Sequence, residues 1–231
     1  MHLIFQGPIS YRMCGIVGYV GEKKASGVIL EALRKVEYRG YDSAGIAVSN
    51  SRIEIMKDAG KIAEIEKRND FSKLQGTIGL GHTRWATHGE VNRQNAHPHT
   101  DCSGDICLVH NGIIENFASL RERLGKAGHK FKSETDTELV AHLLEEKLGG
   151  NGGNFKSAFF AMLKEVEGSY SFVIMHRGER KLYGARKSCP LVIGVGKKEM
   201  FFASDMPAVL DRTRDFVFLG EGEAAVLSQE F

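Results

Sequence analysis

Short β-branched runs occur in two batches along this chain, and a block of amphipathic helical sequence separates them. The first batch holds the run opening at Met13-Cys14-Gly15-Ile16-Val17-Gly18, then Ile46–Ser49, Ile53–Lys57, Thr77–Trp85 and Ile106–His110. The second holds Tyr170–His176, Lys181–Ala185, Leu191–Val195, Met200–Ala203 and Ala224–Leu227. Apolar residues at Ile29, Ala32, Leu33 and Val36 predict a helix over Ser26–Val36, and a polar helix is expected over Lys61–Asn69. Between the batches, Phe117–Ala127 faces Phe117, Leu120 and Leu124 inward and stops at Gly128. A second helix opens at Thr135-Asp136-Thr137-Glu138 in a capping-box pattern and runs towards Leu148. A third puts Phe155, Phe159, Met162, Leu163 and Val166 on one face, and no internal repeat appears. Batches of strands with paired helices between them predict an α+β fold, largely antiparallel, with helices on the outer faces of its sheets. The chain reads as one domain.

Composition excludes several roles. The net charge of +2 is too balanced for nucleic acid or an anionic membrane as the main partner, and no run of about 18 apolar residues spans a bilayer. Four irregularly spaced cysteines (Cys14, Cys102, Cys107, Cys189) do not form a disulfide framework, so a cytoplasmic location is expected. Residues 1–13 lack the features of a secretory signal. Phe5-Gln6-Gly7-Pro8 resembles a picornaviral protease site used to remove tags. The stretch is read as an added leader or, alternatively, a propeptide, with Met13 as the natural start. Cleavage after Gln6 still leaves residues 7–13 ahead of Cys14.

Four polar features carry possible chemistry, each beside a plainer reading. Cys14 is either a small buried hydrophobe or, once exposed as the first residue, a thiol beside its own α-amine. An α-amine titrates at roughly 7.7–8.0 and can serve as a base near neutrality. Gly81-His82-Thr83-Arg84-Trp85-Ala86-Thr87-His88-Gly89 offers a guanidinium fork for a carboxylate and a rigid aromatic lid. It can equally be a surface loop with a solvated salt bridge. In His110-Asn111-Gly112 the Asn amide and the glycine N–H can both donate to a developing oxyanion, although Asn-Gly is also a common hairpin turn. Asp136, in the first turn of a helix, can face a substrate ammonium or simply complement the helix dipole. His88, His97, His99, Cys102, Cys107 and His110 match no Cys-x-x-Cys or His-Glu-x-x-His spacing, so no metal is expected. No phosphate-binding glycine loop occurs, and no cofactor is expected. Together these pieces meet the needs of binding a free α-amino acid and attacking its side-chain carbonyl.

Six stretches then carry a resemblance: Cys14–Gly18, Tyr38-Arg39-Gly40-Tyr41-Asp42-Ser43-Ala44-Gly45, His82–Gly89, Asn95-Ala96-His97-Pro98-His99, His110-Asn111-Gly112-Ile113-Ile114-Glu115-Asn116 and Glu134–Glu138. In this order they resemble the glutaminase domain of the glutamine–fructose-6-phosphate aminotransferases (glucosamine-6-phosphate synthases), class II glutamine amidotransferases of the N-terminal-nucleophile hydrolase superfamily. The resemblance covers residues 14–231 and implies a four-layer αββα fold. It implies Cys14 as nucleophile with its α-amine as base, and an oxyanion hole from Asn111 and the Gly112 N–H. Arg84 would hold the glutamine α-carboxylate and Asp136 its α-ammonium, with Thr87 and His88 lining the pocket. Trp85 would gate ammonia release and Arg39 would position the nucleophile.

Two departures qualify this. Cys14 is internal as written, which acylates the expected base. The sugar-isomerase half that would consume the ammonia is not in the sequence, so the chain by itself is expected to be at most a glutaminase. The resemblance implies L-glutamine as ligand, those sugar-isomerase domains as natural partner and a homo-oligomeric full-length enzyme. Two rivals stay open here: the glutaminase half of amidophosphoribosyltransferase, and a catalytically silent amino-acid-binding module.

Overall fold

The computed structural model describes residues 14–86 and 89–229. Its elements run β1 (Gly15–Gly21), α1 (Ala25–Val36), β2 (Ser43–Ser49), β3 (Ile53–Ala59), α2 (Ile62–Arg68), β4 (Ile78–Arg84), β5 (His99–Thr100) and β6 (Ile106–Ile114). Then follow α3 (Phe117–Lys126), α4 (Asp136–Gly150), α5 (Phe155–Glu165), β7 (Gly168–His176), β8 (Lys181–Lys187), β9 (Val192–Gly196), β10 (Glu199–Ala203), β11 (Asp215–Phe218) and β12 (Ala224–Ser228). Two antiparallel sheets result, in the orders β11-β9-β10-β1-β4-β2-β3 and β12-β8-β7-β6-β5. The α+β expectation and its antiparallel sheets are met. The two-residue β5 and the exposed β11 are additions, since neither carries enough apolar alternation to be read as a strand.

Three apolar layers hold the sheets and helices together. In β1, alternate side chains separate cleanly: Val17 and Tyr19 pack with Ile29 and Leu33 of α1, whereas Ile16 and Val20 join Val109, Val173 and Leu182 between the sheets. Leu108, Phe172 and Ile174 on the outer face of the second sheet pack against Leu139, Leu143, Phe155 and Phe159 of α4 and α5. Each such aliphatic or aromatic side chain contributes about 1.5–3 kcal/mol on burial. Helix, sheet, sheet, helix is therefore the layering. A close approach permits it on the α1 side: a Cβ on Gly81 would lie 2.5 Å from Ile29 Cγ2. No helix among the described residues is long and apolar enough to cross a membrane.

The capping box predicted at Thr135 does not form. Thr135 makes no side-chain cap of α4; its hydroxyl meets His99 Nε2 at 3.1 Å. Glu138 instead accepts from the Lys132 and Ser133 amides at 2.8 and 2.6 Å and from Ser133 Oγ at 2.7 Å. A buried imidazole competes for the hydroxyl, and the turn before the helix takes the carboxylate.

Candidate active site

The register of the first sheet places the thiol. Gly15 pairs with Thr83 on β4, so Cys14, one residue earlier, sits against Arg84 at the end of that strand. Its Sγ accepts from the Trp85 amide at 3.1 Å and lies 3.5 Å from the Trp85 carbonyl. The Cys14 carbonyl accepts from Asn111 Nδ2 at 2.7 Å and from Arg39 Nε at 3.3 Å. Arg39 is held in turn by Asp205, 2.9 Å from its Nη1. Burial pushes the Cys14 thiol up, against the opposing pull of the Trp85 amide, Arg84 and Arg39. The sulfur is therefore a thiol near neutral pH and needs a base to become a nucleophile.

Asn111 and Gly112 lie inside β6, opposite Ser171 and Tyr170 of β7, so the hairpin reading fails. The β-branched strand simply continues through the Asn-Gly pair to Ile114. Gly112 has φ +129°, and a Cβ there would fall 2.0 Å from the Ser169 carbonyl, so no other residue fits without backbone movement. Asn111 crosses from the second sheet to reach Cys14 in the first. Its orientation comes from His82, whose Nε2 lies 3.0 Å from Asn111 Oδ1 and 3.2 Å from the His110 carbonyl. Both partners are acceptors, so Nε2 carries the proton. Burial drives the His82 pKa down to about 3, keeping the ring neutral.

His82 was missed as a positioning residue. A signal existed: with period two, Ile78, Leu80 and His82 share one face of β4. A histidine aimed into an inter-sheet core requires a partner.

Arg84 is 4 % exposed, donates to the Glu90 carbonyl at 3.2 Å and lies in the field of Cys14, Asp42, Asp136 and Glu134. Asp136 opens α4, and its Oδ2 accepts from the Ile114 amide at 2.9 Å, two residues beyond Gly112. Trp85 packs edge-on against Tyr41 with ring centroids 5.2 Å apart. Asp42 accepts from the Ala86 amide at 2.9 Å and so anchors the chain just past the tryptophan. Hydrogen bonds thus gather Cys14, Arg39, Trp85 and Asn111 directly, with Gly112, Arg84 and Asp136 beside them. Thr87 and His88, expected in the pocket, lie outside the described residues.

Of the histidines weighed as metal ligands, His88 lies outside the described residues, and His97, His99 and His110 are buried among one another and Thr137. His97 lies 4.1 Å from His82 and 4.8 Å from His99, centroid to centroid. Thr137 Oγ1 meets His97 Nε2 at 2.8 Å and His110 Nδ1 at 3.1 Å. Cys107 is buried between the sheets.

In a chain processed to begin at Cys14, the oxyanion role that the resemblance implies for Asn111 predicts that its truncation to alanine lowers kcat for glutamine hydrolysis about 10²–10³-fold while KM changes little. Steady-state glutamate release measures it, and an unchanged kcat would remove Asn111 from the chemistry.

Comparison with known proteins identifies the family. Residues 82–211 match the family model described as glutamine amidotransferase domain. The glutamine–fructose-6-phosphate aminotransferase (isomerizing) of Pyrococcus horikoshii is 56 % identical over 221 residues, which cover 95 % of this chain and 37 % of that protein. An enzyme of the same name from Thermus thermophilus is 48 % identical, covering 94 % of this chain and 36 % of the relative. The chain thus spans little more than a third of the length of these relatives. Among solved structures, glutamine phosphoribosylpyrophosphate amidotransferase from B. subtilis superposes with TM-score 0.82 at 27 % identity, over 94 % of this chain and 48 % of that one. The much higher identity to the aminotransferases separates the two families left open by the sequence.

Proposed function

Because the chain belongs to the class II glutamine amidotransferase family, of the type found in glutamine–fructose-6-phosphate aminotransferases, we propose that it hydrolyses L-glutamine through a thioester on Cys14. The observation that carries this reading is the meeting, at one residue, of a protonated half-buried thiol and an amide donor from the opposite sheet. With Cys14 at the terminus, its α-amine takes the thiol proton. Sγ then bonds to the glutamine carboxamide carbon, and the C=O electrons move onto oxygen. Asn111 donates one N–H to the Cys14 carbonyl and keeps a second to offer that oxyanion, together with the Gly112 N–H. Collapse breaks the C–N bond, the α-ammonium returns its proton, and ammonia leaves. Water, deprotonated by the same amine, cleaves the thioester to glutamate.

Arg84 and Asp136 have charges suited to the α-carboxylate and α-ammonium of the substrate, which fixes the distance from those groups to the carbon under attack. Trp85, whose own amide and carbonyl meet the Cys14 sulfur, would close the pocket and gate the ammonia. In the full-length protein the ammonia would pass to fructose 6-phosphate on sugar-isomerase domains.

The test compares the chain as written with one processed to begin at Cys14. An acylated nitrogen is not a base, so the unprocessed chain is expected to bind glutamine weakly and turn it over negligibly. Equal glutamate release from both forms would refute the role given to the α-amine. A silent binding module would show no turnover in either and no labelling of Cys14 by a glutamine-mimicking diazo-ketone.

A further inference from the structure

A second cluster of reactive side chains lies on the outer helical layer, away from the thiol just described. Cys102 sits in the turn between β5 and β6, His129 in the connection from α3 to α4, and His142 and Glu145 one turn apart on α4. Cys102 Sγ is 3.4 Å from His142 Nδ1 and 3.7 Å from His129 Nδ1. Glu145 Oε2 is 3.0 Å from His129 Nδ1 and 3.5 Å from His142 Nδ1. All four donor atoms fall within 4.8 Å of one another.

We propose that Cys102 Sγ, His129 Nδ1, His142 Nδ1 and Glu145 Oε2 bind a divalent transition-metal ion of the zinc type in a closed tetrahedral site. Zinc–sulfur bonds of about 2.3 Å and zinc–nitrogen or –oxygen bonds of about 2.0–2.1 Å, at tetrahedral angles, put neighbouring donors about 3.3–3.6 Å apart. Four of the six edges run from 3.0 to 3.7 Å, and every donor pair lies within 4.8 Å. A thiolate and a carboxylate together neutralise the divalent charge, and the thiol proton is released to solvent on binding. Sulfur and imidazole donors select zinc or its neighbours over magnesium and calcium, which take oxygen.

The surroundings fit a ligand sphere. His142 is 1 % exposed, and its other nitrogen, Nε2, has no hydrogen-bond partner among the described residues. Glu138 Oε1 lies 3.7 Å from that nitrogen, in a carboxylate already fixed by Lys132 and Ser133. Metal on Nδ1 leaves the proton on Nε2, aimed at this carboxylate, the usual outer partner of a metal-bound histidine. Cys102 is exposed and gives an ion its entry path. The site also supplies what the fold lacks at this point. A two-residue edge strand has too few ladder bonds to hold the sheet margin, and the ion would clip that margin to α4. His142 stands six residues along α4 from Asp136, roughly 9 Å by helical rise, so the ion would brace the helix without entering the active site.

Sequence spacing concealed this set. Cys102 is among the residues weighed as ligands, but the four donors come from three separate segments, and only His142 and Glu145 are close in sequence.

The test is titration of the metal-free chain with cobalt(II), in a Cys14→Ala background that removes the active-site thiol. About one equivalent should produce intense tetrahedral visible bands and a near-ultraviolet thiolate-to-cobalt band, and zinc should displace both. Cys102→Ser, at an exposed position with little bearing on folding, should abolish the thiolate band. His129→Ala should weaken binding at least tenfold with the circular dichroism spectrum unchanged. Weak octahedral bands, no thiolate band, or a band that survives Cys102→Ser would each overturn the assignment.

Discussion

Replacing Cys14 by serine, in a chain processed to begin at that residue, is expected to lower glutamine turnover on the order of 10⁴-fold or more. The substitution keeps the α-amine, the Asn111 contact and the groups assigned to the substrate's charged end. It removes only a sulfur that can be deprotonated at accessible cost. Burial pushes the Cys14 thiol up, and a hydroxyl in the same place is far harder to ionise, so an amine titrating near 7.7–8.0 no longer suffices as base. Glutamine affinity should change much less, because the roles proposed for Arg84 and Asp136 concern atoms remote from the carboxamide. Calorimetric binding alongside single-turnover glutamate release separates the two effects. Serine activity within tenfold of cysteine would mean that another group attacks the amide.

Acid is expected to unfold this protein well above the pH at which its carboxylates protonate. His82, His97, His99 and His110 are each buried, and burial lowers the pKa of every one, to about 3 for His82 and well below the ordinary value for His97 and His99. Unfolding returns them to roughly 6.5. Between the folded and unfolded values the unfolded chain binds more protons, so stability is fully present above about 6.5 and falls as the pH drops below it. Each imidazole contributes a slope of up to about 1.4 kcal/mol per pH unit, and His82, His97 and His99 together about 4 kcal/mol per pH unit. His110 adds in the same direction. A domain stability of about 5–15 kcal/mol is exhausted within a few pH units at that rate. Below about 4.5, Glu138 adds a further loss: burial opposes its ionisation, but the nearby His142 ring and the hydrogen bonds of Ser133 and Lys132 hold it down at about 2. Urea midpoints from pH 7 to 4.5, taken in chelator, measure the effect. An uptake of fewer than one proton on unfolding across that range would show that the imidazoles are charged in the native state.

The expected acid sensitivity and the proposed catalytic site share a cause. The histidine stack fills the inter-sheet space behind Cys14, where only neutral rings can be buried, and its front member turns the Asn111 amide towards the Cys14 carbonyl. An imidazolium at His82 would carry a desolvation cost that the Asn111 and His110 oxygens do not offset.

Much of this protein is written in local pattern. Period-two and period-3.6 alternation placed most strands and all the principal helices, because burial of one face is a local requirement that each segment meets for itself. Residue chemistry singled out Cys14, Arg84, Asn111 and Asp136 as a candidate set, each beside a plainer reading, and their proposed roles come from the resemblance. The tertiary structure alone decided the rest. That Asn-Gly continues a strand instead of turning depends on β7 being opposite, and that the Thr135 hydroxyl leaves α4 uncapped depends on His99 of the distant strand β5. His82 as the support of Asn111, and Cys102 beside His129, His142 and Glu145, are likewise meetings of segments remote in the chain. Such pairings are selected by packing of whole layers, and the free energy that selects them belongs to no single segment.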